Sequence, residues 1–163
     1  MVYRRTQQVV KRLAARRSAI LTAAREAAME GGMGAVQIAP VATRAHVAAG
    51  TVYRYFPSKA ELISELIADV SRDELNAIRR AADAAPGPSS ALAAAVTTIA
   101  VHIASYRKLA WGILAEPVDV DVDASRLASR REITDEIQRR IAAAVKAGHL
   151  PAQDTTLAAA ALV

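Results

Sequence analysis

Thr51, Tyr53, Arg54, Tyr55 and Lys59 fall within nine positions of one another, and their chemistry is that of recognition rather than bond-making. A guanidinium can bridge O6 and N7 of a guanine, a threonine offers a hydroxyl to phosphate and a methyl to thymine, and tyrosine and lysine bind phosphate oxygens. A catalytic reading has little to stand on. His46, His102 and His149 lie in separate segments, none beside a nucleophile, and no glycine-rich phosphate loop follows a strand. The chain has no cysteine, which removes disulfides and thiolate metal sites and suits a reducing cytoplasm. Neither a metal, a cofactor nor an enzymatic activity is expected.

The elements that must hold those groups can be read from Gln37 to Leu62. Ile38, Val41, Ala42 and Ala45 recur at helical spacing, a turn follows at His46-Val47-Ala48, and a second helix runs from about Ala49 to Tyr55 with Val52 and Phe56 four apart as its buried stripe. Pro57 breaks that helix. Ser58-Lys59-Ala60-Glu61 has the spacing of a capping box that opens a third helix near Lys59. Two short helices about a tight turn leave Thr51, Arg54 and Tyr55 off the buried stripe, which is the layout of a helix-turn-helix that reads DNA.

This run resembles the DNA-binding domain of the tetracycline-repressor (TetR) family of bacterial transcription regulators. The resemblance rests on Val47, Gly50-Thr51-Val52-Tyr53, Tyr55-Phe56, Ser58-Lys59 and Leu62 together, preceded by a long helix and the turn Gly31-Gly32-Met33-Gly34. Residues 1 to about 82 look family-like, whereas the rest of the chain matches only in helical pattern. Two departures stand out: His46 replaces a common glycine where a left-handed backbone is needed, and Pro40 falls in the first turn of the first reading helix. The resemblance, with residue chemistry, implies a DNA-contacting set of Gln37, Arg44, Ala49, Gly50, Thr51, Tyr53, Arg54, Tyr55 and Lys59, with Arg4 and Arg5 reaching an adjacent minor groove. Arg54 is the base reader, Gly50 permits close approach, and Tyr55 and Lys59 meet phosphate. Tyr53 is equally readable as a packing residue, Thr51 as a helix-surface threonine, Arg44 as a partner of phosphate or of Glu61, and the terminal arginines as disordered without function.

Charge distribution points the same way. Through residue 61 there are ten Lys and Arg against three acids, a net +7 within a chain of +5, so the remainder carries −2. Basicity confined to the segment with the helix-turn-helix fits a polyanionic partner. A basic helical adaptor that binds a membrane surface or another protein is the alternative, and it leaves GTVYRYFPSK unexplained.

At 163 residues the chain can bury about 70% of its unfolded surface. It reads as all-α, with a helix-turn-helix domain over residues 1–60 and a larger helical ligand-binding and dimerisation domain over 61–163. Helices are expected from Thr6 to about Glu30, from Ser58 to the Pro86-Gly87-Pro88 break, from about Ser90 to Ser105, Arg107 to Ala115 and Ala124 to Ala147, and after Asp154. The first third of the opening helix is basic enough to project along DNA. The acidic run Val118 to Asp123 is read as a loop, and no apolar stretch as a membrane span.

The family resemblance implies an effector pocket in the second domain. His102, Tyr106, Trp111 and Glu116 are its candidate lining residues, with structural alternatives for three of them: a hydrogen-bonded core histidine, a core tyrosine with its hydroxyl at the surface, and a packing tryptophan. So few polar groups imply an apolar or aromatic effector. Thr155 to Val163 looks like the start of a longer helix, and TetR-like proteins pair through two C-terminal helices. Leu127, Ile133, Ile137, Ile141 and Val145, with Leu157, Leu162 and Val163, are therefore expected to form a weakened homodimer. The expectation is a soluble, cytoplasmic repressor that binds an inverted-repeat operator.

Overall fold

The computed structural model describes residues 2–117 and 120–163, apart from the side chains of residues 2–6 and 121. Its helices are α1 (Val2–Gly31), α2 (Ile38–Arg44), α3 (Ala49–Tyr55), α4 (Lys59–Asp83), α5 (Pro88–Ser105), α6 (Arg107–Leu114), α7 (Val120–Lys146) and α8 (Thr155–Ala160), with a single 3₁₀ turn at Met33–Ala35. No strand occurs among the described residues.

Two apolar clusters organise these helices, and α4 serves both. Its first half contributes Leu62, Ile63, Leu66, Ile67 and Val70 to a cluster with Ile20 and Ala24 of α1, Val41 of α2, and Val52 and Phe56 from α3 and its end. Its second half contributes Ile78 and Ala82 to a cluster with Ala91 and Ala95 of α5, Ile133, Ile137 and Ile141 of α7, and Ala159 of α8. The 60/61 division falls in the first turn of α4. Leu109 of α6 and Val122 of α7 also enter the first cluster, so the second half of the chain closes over the reading head.

Several expectations need correction. The acidic run is not all loop: α7 starts at Val120, since the fully buried Val122 anchors it and its aspartates fall in a first turn where the helix dipole favours negative charge. Asp123 also accepts an ion pair from Arg126 at 3.5 Å. Val118 and Asp119 lie outside the described residues. Leu127 departs from the expected stripe and is 57% exposed. The last helix covers Thr155–Ala160, shorter than read, with Asp154 capping it through the amides of Thr156 and Leu157 at 2.9 and 3.0 Å. Finally, α5 has 18 residues at a mean hydropathy of 1.3, long and apolar enough by composition to cross a membrane. Here it forms one wall of the second half, packing on α4 and α7.

Candidate nucleic-acid interface and cavity

Local sequence explains how the reading head is set. Gln37 begins α2 in extended backbone and donates Nε2 to the Gly34 carbonyl at 2.9 Å, tying the helix start to the preceding turn. Pro40 is tolerated because the first-turn amide it lacks has no intrahelical acceptor. The α2–α3 turn pivots on His46 at φ 54, the sole non-glycine residue with positive φ among those described. A histidine thus takes the left-handed conformation that glycine adopts with less strain. Turn amides are satisfied by His46 N–H to the Thr43 carbonyl at 3.1 Å and Val47 N–H to the Ala42 carbonyl at 2.9 Å.

Within α3 only Val52 is fully buried. Ala49, Gly50, Tyr53 and Arg54 are exposed and Thr51 and Tyr55 half-buried, and no atom would meet a Cβ placed on Gly50 within 4 Å. The small residues therefore give α3 an unobstructed N-terminal end, with Arg54 one turn further along. Tyr53, at 51% exposure, is no packing residue, whereas the Tyr55 ring lies against the core. Phe56, 1% exposed, locks the helix end, with the Arg17 guanidinium 5.2 Å above its ring.

Ser58 Oγ accepts the Glu61 amide at 3.0 Å, so half of the expected capping box forms and α4 begins at Lys59. No acid pairs with Arg54 or Lys59 among the described residues. Arg44 is placed differently from the Glu61 alternative. It makes a two-pronged contact with Glu30 of α1 at 2.8 and 2.7 Å and approaches Glu26 at 3.6 Å, because α2 packs across α1. Its hydrogen bond holds the Glu30 carboxyl below the ordinary range. The side chains of Arg4 and Arg5 lie outside the described ones.

Under the reading head, residues of α1, α4, α5 and α6, with Ile133 of α7 and Val163, line a partly open cavity of about 350 Å³. His102 and Tyr106 line it, with ring centroids 6.5 Å apart, beside Ile99, Ile103, Leu109 and Ile113. Trp111 and Glu116 do not line it. Trp111 is 63% exposed on the outer side of α6. The Glu116 carboxylate instead accepts the backbone amides of Met33 and Gly34, at 2.8 Å each, clamping the turn that leads into α2. Gly32 and Gly112 must be glycine for this approach, since a Cβ on either would come within 3 Å of Glu116 or Met33. Lys108 donates to the Glu30 carbonyl at 2.6 Å, so the start of α6 is fastened to the end of α1 and the segment just past α6, through Glu116, to the turn that follows α1.

Two cavity groups escaped the sequence reading. Arg25 reaches the rim while pairing with Asp73 at 2.8 Å, and Glu74 turns inward with His102 Nδ1 3.9 Å away. That distance is too long for a hydrogen bond. Burial pushes the Glu74 carboxyl upward and the nearby His102 partly offsets it. Arg25 of α1 and Glu74 of α4 carry no local sequence signal for a cavity, and only the packing of α5 and α6 against those helices brings them to it.

Two short helices about a tight turn, the second with Arg54 exposed, have the geometry of a helix-turn-helix, and an apolar cavity lies beneath them. Residues 20–66 match the profile of the family described as bacterial regulatory proteins, tetR family. That match takes in the end of α1, α2, α3 and the first part of α4. The chain is 49% identical over 67 residues to the HTH-type transcriptional repressor KstR of Mycobacterium tuberculosis, covering 40% of this chain and 30% of that protein. Against KstR of Rhodococcus jostii it is 53% identical over 53 residues, 32% of this chain and 25% of that one. The match thus spans less than a third of these relatives' length. The fold as a whole resembles FadR of Bacillus subtilis, solved in complex with stearoyl-CoA, at a TM-score of 0.76 and 19% identity over 89% of this chain and 80% of that chain. It also resembles RolR, solved with resorcinol, at 0.68 and 20% over 93% and 74%.

Proposed function

We propose that this chain acts in the cytoplasm as a transcriptional repressor. As a homodimer it binds an inverted-repeat operator, and it releases the operator when a small apolar or aromatic molecule fills the cavity. The observation that carries the reading is α3 itself: Val52 buried, Arg54 exposed without an acidic partner among the described residues, and Lys59 at the first position of α4. The tetR-family profile matches residues 20–66, which include α3, and stretches of 53 and 67 residues are 53% and 49% identical to proteins named as repressors. The apolar cavity and the ligands held by FadR and RolR support an effector with an apolar body.

The mechanism is geometric. Two recognition helices must sit about 34–36 Å apart to enter successive major grooves. In each chain α6 is both a cavity wall and, through Glu116, the clamp on the turn before α2. An effector that prefers a displaced α6 draws the reading head away from the operator spacing, and DNA must in turn weaken effector binding by the same factor. Gln37, Arg44, Thr51, Tyr53 and Tyr55 supply the remaining contacts. For Arg44 this requires exchange of its Glu30 pair for phosphate.

Selection of genomic fragments that the chain retains would identify operator and regulated genes together; recovery of no common inverted repeat would overturn the reading. Binding to anionic vesicles in place of duplex would instead favour a membrane-surface adaptor. On a recovered duplex, Arg54→Ala is expected to cost roughly 1–3 kcal/mol and much less on random DNA. Equal losses on both would remove Arg54 as a base reader. Lys59→Ala is expected to weaken both alike and to flatten log K against log salt by about one unit.

A further inference from the structure

The apolar cavity abuts a second space of about 310 Å³, since Glu74, Ile113, Leu114, Ile133 and Val163 line both. Each volume alone is within the range of small-molecule sites. Their outer parts differ in chemistry. The first is walled by Ile99, Ile103, Leu109 and the rings of His102 and Tyr106, whereas Ser71, Asp123, Arg126, Ser129 and Arg130 bring polar groups to the second.

Arg126 gives the second space its character. Its side chain is 15% exposed, and its Nε is buried without a hydrogen-bond partner, the one such side-chain atom among the described residues. The guanidinium donates Nη2 to the Gly112 carbonyl of α6, and Asp123, itself 56% exposed, stands off Nη1 at 3.5 Å. A buried donor on a cation is costly to leave without an acceptor. Arg130 lies one turn further along the same face of α7, is exposed, and has no acidic partner among the described residues. Two guanidiniums thus line a space that opens into an apolar one.

We propose that the two spaces form one site for an anionic amphiphile, whose apolar body occupies the first cavity and whose carboxylate is held by Arg126 and Arg130 in the second. This rests on the reading of the first cavity as an effector site, and adds the charge class of the effector and the residues that select it. A carboxylate matches the fork of a guanidinium and gives the orphaned Nε an acceptor. A cationic head would instead face two guanidiniums. Two acids border the same space. Asp123 is exposed, so water and salt screen it, and burial pushes the Glu74 carboxyl upward, which favours its uncharged form at the junction.

The test titrates the full chain, without DNA, with decanoate, decanol and decylamine, which share one apolar body, and follows binding by calorimetry. Decanoate is expected to bind roughly tenfold tighter than decanol, the low end for a hydrogen bond to a charged group. Arg126→Gln should abolish that preference while leaving decanol affinity unchanged, and Arg126→Lys, which keeps the charge but not the fork, should retain only part of it. Arg130 is exposed, so Arg130→Gln should fold normally and lose part of the preference even where the Arg126 variants do not fold. Equal affinity of the unaltered chain for decanoate and decanol, or tighter binding of decylamine, overturns the anionic site while leaving the cavity reading intact. So does a preference for decanoate that survives in both glutamine variants. Binding of none of the three overturns both.

Discussion

Alanine in place of Glu136 is expected to destabilise the fold by about 3 kcal/mol, measured by urea unfolding. Glu136 is 1% exposed and binds three arginines: Arg79 from α4 at 3.0 Å, Arg139 at 2.6 Å and Arg140 at 2.7 Å, with Arg140 also on Asp83 at 2.8 Å. Removing the carboxylate leaves that charge uncompensated between α4 and α7. The cost should fall at the low end for a buried pair, because Arg79 and Arg139 are 43% and 62% exposed and can rehydrate. Burial alone would raise the Glu136 pKa, but the hydrogen bonds from Arg79 and Arg140 and the charge of Arg139 lower it overall. A depressed folded value contributes stability that is present above the unfolded carboxyl pKa, near 4.3, and lost as pH falls through the folded value. Unaltered protein should therefore lose stability on acidification below about pH 4.3 more steeply than Glu136→Ala. Parallel acid profiles would show the cluster to be inert.

Glu116→Ala is expected to release the clamp on the turn before α2, with a cost of about 2 kcal/mol, since hydrogen bonds to a charged group contribute roughly 1.5–3 kcal/mol and the Gly34 amide can turn to water. The Met33 amide is part-buried and less able to do so. Hydrogen exchange at Met33 and Gly34 should accelerate by roughly 30-fold if it tracks that loss. Glu116→Gln retains one carbonyl acceptor and should fall between the two. If α6 carries cavity occupancy to the reading head, duplex affinity should also drop in Glu116→Ala while the exchange of α8 amides stays unchanged. Unaltered protection at Met33 and Gly34 would mean that the clamp does not hold the turn.

The reading head was legible because its constraints are local. The stripe of Val41, Ala42, Val52 and Phe56, the break at Pro57 and the Ser58 cap act within one or two helical turns, and the observed α2, α3 and start of α4 follow them. Even the strained turn at His46 was visible as a departure from glycine. The cavity was less so, because its lining is set by which faces of α1, α4, α5 and α6 meet. His102 and Tyr106 fall on the inner faces, whereas Trp111 and Glu116, in the same short stretch, do not. Glu116 finds its partners 83 and 82 residues away and Glu136 meets Arg79 at a separation of 57, contacts with no periodic signature in sequence. The α7 start failed for a similar reason: the burial of Val122 against the reading head outweighs the acidic composition around it.

The most direct measurement of sequence reading by α3 is the equilibrium affinity of the chain for a recovered inverted repeat, set against a scrambled duplex of the same length and base composition at physiological salt. Base readout through Arg54 and its neighbours predicts preference for the inverted repeat by a factor of about 10³ or more. Equal affinity for the two duplexes would contradict it.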